Sequence, residues 1–285
     1  MKKVIVITGP TASGKTSLSI KIAKHFNLEI INGDSVQIYK DYNIGSAKIT
    51  KEEMEGITHH LLDIKEPGEP FSIFEYQKEV RNKIKELKIP LIVGGSGLYI
   101  QSALYDYQLH ERQTQELPSV EQMKEALKKL DPKLDTQKLS ETKIINAYQS
   151  ALAGEKRSEK TNSKTPIYDL CILYLDIDRA ILKKRVETRL EYMMEAHFLD
   201  EVKRIKQIPT ANLNIIGYRQ LSDYLDGKTD LETAKQLIIT KTMQFAKRQK
   251  TWVKNQMEAH FLNALDDNLE NQAIELITNF LKEKS

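Results

Sequence analysis

The chain has 285 residues and a single cysteine, Cys171. One thiol can form neither an internal disulfide nor a Cys-rich metal site. Its setting in YDLCILYLD assigns it to the core, where a free cysteine behaves as a small hydrophobe. Long apolar runs are missing too. No stretch approaches the ~20 residues that span a bilayer, and the opening MKKVIVITGP carries an apolar run too short for a signal peptide. A soluble, cytoplasmic protein without a membrane partner is expected. Neither sign of charge dominates: 43 Lys and Arg stand against 40 Asp and Glu, for a net +3. That balance permits a nucleic-acid partner without requiring one, because clustering of cations matters more than their total. The adjacent His59 and His60 point in different directions on any regular element, so they make a poor metal pair. No solenoid-type repeat is present.

What is present is an alternation of short β-branched runs with helical stretches. Lys3–Thr8, Leu28–Ile31, Pro90–Val93 and Asp169–Leu175 read as buried parallel strands. Helices are expected over Thr16–Phe26 and Phe74–Leu87, and after Asp176 over Arg179–Lys206, Leu231–Gln256 and a tail from Asn268. The expected fold class is α/β: a P-loop NTPase-like parallel sheet covered by helices. Residues 106–165 differ. They are polar, with helical stretches at Val120–Leu130 and Thr142–Ala153 and an almost wholly polar loop over 154–166. The expected division is a core of 1–105 and 166–285 carrying a small helical insertion at 106–165.

The stretch GPTASGKT after the first strand satisfies G-x-x-x-x-G-K-[ST]. In the run Gly9, Pro10, Thr11, Ala12, Ser13 and Gly14 the glycines let the backbone curl so that successive N–H groups point at phosphate oxygens. Lys15 adds a mobile cation, the helix start adds partial positive charge, and the Thr16 hydroxyl is placed to join a Mg²⁺ shell. A GTPase would need a guanine-reading Asn-Lys-x-Asp, which is absent. A motor or transport ATPase would need an acidic residue ending a strand such as Pro90–Val93, which runs into Gly94-Gly95 instead. Small-substrate P-loop enzymes, such as nucleoside and shikimate kinases and their relatives, remain.

Asp34 follows the second strand at its carboxyl end, where ligands of doubly wound sheets sit. A carboxylate there can act as a general base; it can also simply cap the turn that follows. Asp63, flanked by Leu61, Leu62 and Ile64, reads as structural. Arg185 and Arg189 lie four apart on one helical face. They either clamp phosphate oxygens or form a solvated face bridged to Glu187 and Glu191.

Seven stretches in order, GPTASGKT, IINGDSVQIYKDYNIGSAK, HHLLDI with PGEPFSIFEY, IPLIVGGSGLYI, RVETRLEYMM, IGYRQLSDYLDG and AKRQKTW, resemble the tRNA dimethylallyltransferase family of bacterial type. The resemblance implies transfer of a dimethylallyl group from dimethylallyl diphosphate to N6 of the adenosine 3′-adjacent to the anticodon, with release of diphosphate. It implies that Gly9–Thr16 hold the diphosphate with Mg²⁺ near Thr16, that Arg189 contacts it, and that Asp34 is the general base. Thr11 and Lys15 join them as catalytic residues, and Arg185 and Arg219 are further diphosphate ligands. The tRNA anticodon stem-loop is expected to meet Asp34, Ser35, Val36, Gln37, Ser96, Arg248 and Lys250. Ser96 stands where the family commonly has Thr, and Lys143 and Asn146 stand at the positions of a family arginine pair. The insertion is shorter than usual, with Lys156, Arg157, Lys160 and Lys164 as alternative phosphate contacts. A monomer is expected.

Overall fold

The computed structural model describes residues 1–107, 109, 117–152, 154, 156–159 and 165–283. The first apolar run forms β1 (Lys3–Thr8), and its position explains its composition. The sheet order is β3-β2-β4-β1-β5-β6, so β1 lies between β4 (Leu91–Gly94) and β5 (Asp169–Asp176). β2 (Ile30–Asn32) and β3 (His59–His60) extend one side, and β6 (His260–Asn263) closes the other. All the pairings are parallel. A central parallel strand is covered on both faces, hence an unbroken VIVI rather than an alternating pattern.

Side chains leaving opposite faces enter different cores. Val4 and Val6 pack with Ile172, with Val80 and Ile84 of α2 (Ile73–Glu86) and with Ile100 and Leu104 of α3 (Gly97–Leu104). Ile5 and Ile7 pack with Cys171, with Ile22 and Ala23 of α1 (Lys15–Phe26) and with Ile277 and Phe280 of α10 (Leu269–Lys282). Cys171 is buried as expected, and burial pushes its thiol up to about 12. A third core joins α6 (Arg179–Glu195), α7 (Phe198–Lys206), α8 (Tyr218–Leu225) and α9 (Leu231–Gln256), with Ala12 of the glycine loop among its members. No helix among the described residues is long and apolar enough to cross a membrane.

Several boundaries differ from expectation. The second strand starts at Ile30 rather than Leu28, because the Leu28 amide still donates to Ala23 O and closes α1. β4 starts after Pro90 and includes Gly94, which pairs with Thr8. The single helix expected over Arg179–Lys206 is two helices. His197 takes φ 68° between them, and the turn lets Phe198, Val202 and Ile205 bury their side chains. Buried Glu201 then accepts the amides of Asn43, Ile44 and Gly45 at 2.8–3.1 Å and the Tyr218 hydroxyl at 2.6 Å, fixing the loop after β2. The paired histidines form an edge strand, with His60 on Glu29 at 2.7 Å, and Asp63 bonds Lys48.

The chain divides into two compact units, Met1–Tyr105 with Thr165–Ser285, and Asp106–Lys164. The second has its own small core, in which Met123 and Leu127 of α4 (Val120–Leu130) meet Ile144 and Ala147 of α5 (Glu141–Leu152). Buried Asp131 accepts the Ser158 amide at 2.9 Å and so holds the turn at Arg157–Glu159. Lys160 and Lys164 lie outside the described residues, as do Ala153, Glu155 and residues 161–163 of the loop expected over 154–166.

Candidate active site

The glycine loop sits at the carboxyl end of β1, where the sheet order reverses. Gly14 takes φ 94°, a conformation that strains any L side chain, and so turns the chain into α1 at Lys15. The helix start has no acidic residue in its first turn and no side-chain cap. Its amides and its positive dipole end are therefore left for an anion. The Ser13 hydroxyl is buried without a hydrogen-bond partner in the same loop.

Three cations converge here and none finds an anion at ion-pair distance among the described residues. Lys15 Nζ donates to Gly9 O at 2.9 Å and Pro10 O at 2.7 Å. Arg189 donates to Thr11 Oγ1 at 3.3 Å, and Arg185 to Ala12 O at 3.4 Å. Neither arginine bridges to Glu187 or Glu191, since Glu191 is taken by Lys235 and Glu187 by Lys183; Arg189 is half-buried on the cavity wall, whereas Arg185 is exposed and is not among the residues that line it. Burial lowers the Lys15 ammonium to about 8; nearby Asp34 opposes the shift and Arg189 adds to it. Burial also lowers Arg189, with Arg185 adding to the shift and Glu53 opposing it.

Asp34 stands at the end of β2 on the wall of a cavity of about 1030 Å³ that Lys15, Thr16 and Arg189 also line. One carboxylate oxygen, Oδ1, accepts the amides of Val36 at 2.8 Å and Gln37 at 3.4 Å, so the turn-capping role is real. The other, Oδ2, has no hydrogen-bond partner among the described residues. Crowding by protein atoms raises the carboxyl group, while the Val36 and Gln37 amides and Lys15 pull it back. Asn32 holds the backbone in place. Its side chain accepts from Asp34 N at 2.9 Å and donates to Asp34 O at 2.9 Å and Leu61 O at 3.0 Å. Sequence reasoning passed over Asn32; an amide ending an otherwise apolar strand is the signal that marks it.

The ends of β2 and β4 meet closely. A Cβ on Gly94 would lie 2.1 Å from the Gly33 carbonyl carbon. Ser96 joins this corner, donating its amide to Gly33 O at 3.1 Å and accepting the Ser35 amide at 3.2 Å. Ser35, Val36, Gln37 and Ser96 all line the cavity. Gln37 is tied back, its amide donating to Ser46 O at 3.1 Å and Ala47 O at 3.3 Å.

Other expected residues fall elsewhere. Arg219 is not among the lining residues; on α8 it is held by Asp223 at 3.1 Å and Asn214 at 2.8 Å. Arg248 lies exposed over the Phe245 ring. Lys250 reaches Asp176 at 2.7 Å and lines a separate hollow of about 740 Å³ on the other side of α9. Gln249, which sequence reasoning did not single out, lines the main cavity; its only signal is a polar side chain breaking the apolar stripe Ile238–Thr242–Phe245.

The sequence profile described as IPP transferase matches residues 37–256, and that described as isopentenyl transferase matches residues 2–68. The chain belongs to the IPP transferase family. A curated relative named tRNA dimethylallyltransferase, from Aster yellows witches'-broom phytoplasma, is 54% identical over 99% of both chains. One of the same name from Acholeplasma laidlawii is 49% identical over 99% of both. Among solved structures, the tRNA isopentenylpyrophosphate transferase of Staphylococcus epidermidis superposes with a TM-score of 0.76 at 32% identity, covering all of both chains. A eukaryotic dimethylallyltransferase, described as acting on tRNA, superposes with 0.83 at 27% identity over all of this chain and 81% of that one.

Proposed function

We propose that this prenyltransferase moves a dimethylallyl group from dimethylallyl diphosphate to N6 of the adenosine 3′-adjacent to the anticodon of tRNA. One observation carries the reading: half-buried Lys15 and Arg189 rest on neutral oxygens, beside a carboxylate that keeps one oxygen spare. Uncompensated buried cations are costly without a partner, and a diphosphate supplies the missing charge. The rest of the cavity suits the other half of the donor, because Val186, Leu190, Ile238 and Phe245 give it an apolar wall. A volume of about 1030 Å³ lies at the upper end of ordinary ligand pockets, about 300–1,000 Å³, and accommodates an acceptor base beside the donor.

The adenine amine is a weak nucleophile, so the barrier falls mainly by stabilising the departing diphosphate. Lys15, Arg189 and the loop amides are preorganised for that charge. As the C–N bond forms, the allylic C–O bond breaks and diphosphate leaves with the electron pair. Asp34 Oδ2 takes the proton that nitrogen sheds. Among the described residues no group of three His, Cys, Asp or Glu is built to hold a metal. That suits Mg²⁺ bound through substrate phosphates and the Thr16 hydroxyl, since this ion keeps waters and few protein ligands. Bound there, it would neutralise leaving-group charge. Arg185 steadies the loop from behind. The target base, stacked in a stem-loop, must be extruded to reach the cavity.

Incubation with labelled dimethylallyl diphosphate, Mg²⁺ and unmodified tRNA, followed by mass analysis of anticodon-loop fragments, tests the reading. A dimethylallyl mass gain on the adenosine 3′ to the anticodon is expected, with AMP failing to compete. Folded protein that leaves several adenosine-rich anticodon loops unlabelled would overturn it.

A further inference from the structure

Gln249 projects from α9 to the corner where the phosphate loop and the Asp34 turn approach each other. Its Nε2 donates to Gly95 O at 2.9 Å, and a Cβ on Gly95 would lie 2.3 Å from that nitrogen and 3.4 Å from Gly9 O. Gly95 follows Gly94, which abuts Gly33, the neighbour of Asp34. Gln249 thus stands between the first glycine of the phosphate loop and the strand end that carries the carboxylate.

The Gly95 carbonyl can only accept, so the amide nitrogen must face it and Oε1 must face the other way. Gln249 is 7% exposed, and Oε1 is buried without a hydrogen-bond partner among the described residues. A buried acceptor left unpaired is destabilising, and such groups in native proteins call for an explanation. The cavity that Gln249 lines supplies one: the missing donor arrives with the substrate.

We propose that Gln249 is a specificity-determining residue, its Oε1 accepting one N–H of the attacking exocyclic amine while Asp34 accepts the other. The inference rests on the function proposed above and extends it. An sp² amine carries two hydrogens in its plane. Acceptors on both hydrogens turn its developing lone pair toward the allylic carbon. When C–N forms and C–O breaks, the hydrogen facing Asp34 leaves as a proton to Oδ2, and the one facing Gln249 stays on nitrogen in the product. A base with a carbonyl at that position would set oxygen against oxygen, at Gln249 and at Asp34 alike, and be rejected.

The test compares anticodon stem-loops carrying adenosine or purine riboside, which lacks the amine, at the target position. Affinities are measured with Mg²⁺ and inorganic pyrophosphate present, using protein that prenylates the adenosine RNA. Failure of that prior labelling step would count against the proposed function, not against Gln249. Wild-type protein should prefer adenosine, and Gln249→Met should shrink the preference about tenfold, the size of one lost hydrogen bond. An unchanged preference in folded Gln249→Met would mean that a trapped water satisfies Oε1 in the wild type, and overturns the proposal. Asp34→Ala gives an independent reading that does not depend on Gln249→Met folding. A residual preference of about tenfold is expected there, and its complete loss is equally fatal.

Discussion

Helix α9 divides two hollows that look alike in composition and differ in their charges. Along one stripe, Ile238, Thr242, Phe245 and Gln249 face the main cavity; along another, Met243, Lys247, Lys250 and Lys254 face the smaller one. In the smaller hollow, Lys250 closes an ion pair with Asp176, and both side chains keep substantial solvent contact. In the main cavity, Lys15 and Arg189 are half-buried against carbonyl and hydroxyl oxygens only. A paired surface charge needs no ligand. Half-buried cations without anions suit a place where an anion arrives, so partial burial without pairing supports the proposed site better than the count of lysines does.

The sharpest way to break this contrast is to remove one of the unpaired cations. Lys15→Met should cut turnover by about 10³-fold, the upper range for losing one preorganised charge at a leaving group, with a folded protein by circular dichroism. A loss below tenfold would mean that the loop amides and Mg²⁺ carry the diphosphate alone. Next in size is the carboxylate. Asp34→Asn keeps an acceptor for the Val36 and Gln37 amides but loses the base. Turnover should fall by about 10²-fold at unchanged melting temperature, whereas Asp34→Ala should add a stability loss from the uncapped turn. Equal turnover for Asp34→Asn and wild type would assign the proton to another group. In wild type, activity should decline on the acid side above the ordinary carboxylate pKa, because crowding raises Asp34 and only its ionised form is a base.

A smaller effect comes from Lys15 titrating near neutrality. Its ammonium sits at about 8 in the ligand-free protein, and diphosphate favours the charged form. Affinity for inorganic pyrophosphate should therefore weaken as pH rises through 8, by up to about tenfold at pH 9. Pyrophosphate has ionisations of its own, so the decisive quantity is the difference from Lys15→Met, in which this part of the slope should vanish. A slope identical in the two proteins would leave Lys15 charged throughout. The sign for stability is opposite. Burial depresses the folded-state pKa, so the unfolded chain binds more protons between about 8 and the ordinary lysine value, and the ligand-free fold gains stability there as pH rises.

How much of this could be read from the residues follows from the range of the forces involved. The glycine loop, β1 and α1 are local: a buried apolar run, a turn demanding glycine and a lysine-threonine pair fall within fourteen residues, from Lys3 to Thr16. Asp34 was legible because a strand's carboxyl end has a known place in this topology. The broken helix was not, because the turn at His197 answers to Phe198, Glu201 and their partners around Gly45 and Tyr218, far away in sequence. Gln249 was hidden for the same reason. Within its own helix only its place on the stripe of Ile238, Thr242 and Phe245 sets it apart from Lys247 and Lys250, and the meeting of α9 with Gly95 gives that place its meaning. Lys250 and Arg219 are the converse case: partners contributed by other parts of the fold or by the next helical turn already hold them.

Lys250 carries the smallest expected effect and the one that most sharpens the comparison of the two hollows. If the cationic face of α9 meets the RNA backbone, Lys250 must share its charge between Asp176 and a phosphate. Lys250→Ala should then weaken tRNA binding only a few-fold and make the salt dependence shallower by less than the one counterion expected of a free lysine. Asp176→Asn should move the other way, since it frees the same ammonium, tightening binding and steepening the salt slope. Affinity titrations at several salt concentrations with the two variants read both quantities. Opposite shifts place the face of α9 on the RNA, with Asp176 as a brake on its affinity. If both slopes match wild type, the pair is structural and the RNA runs elsewhere over the unit.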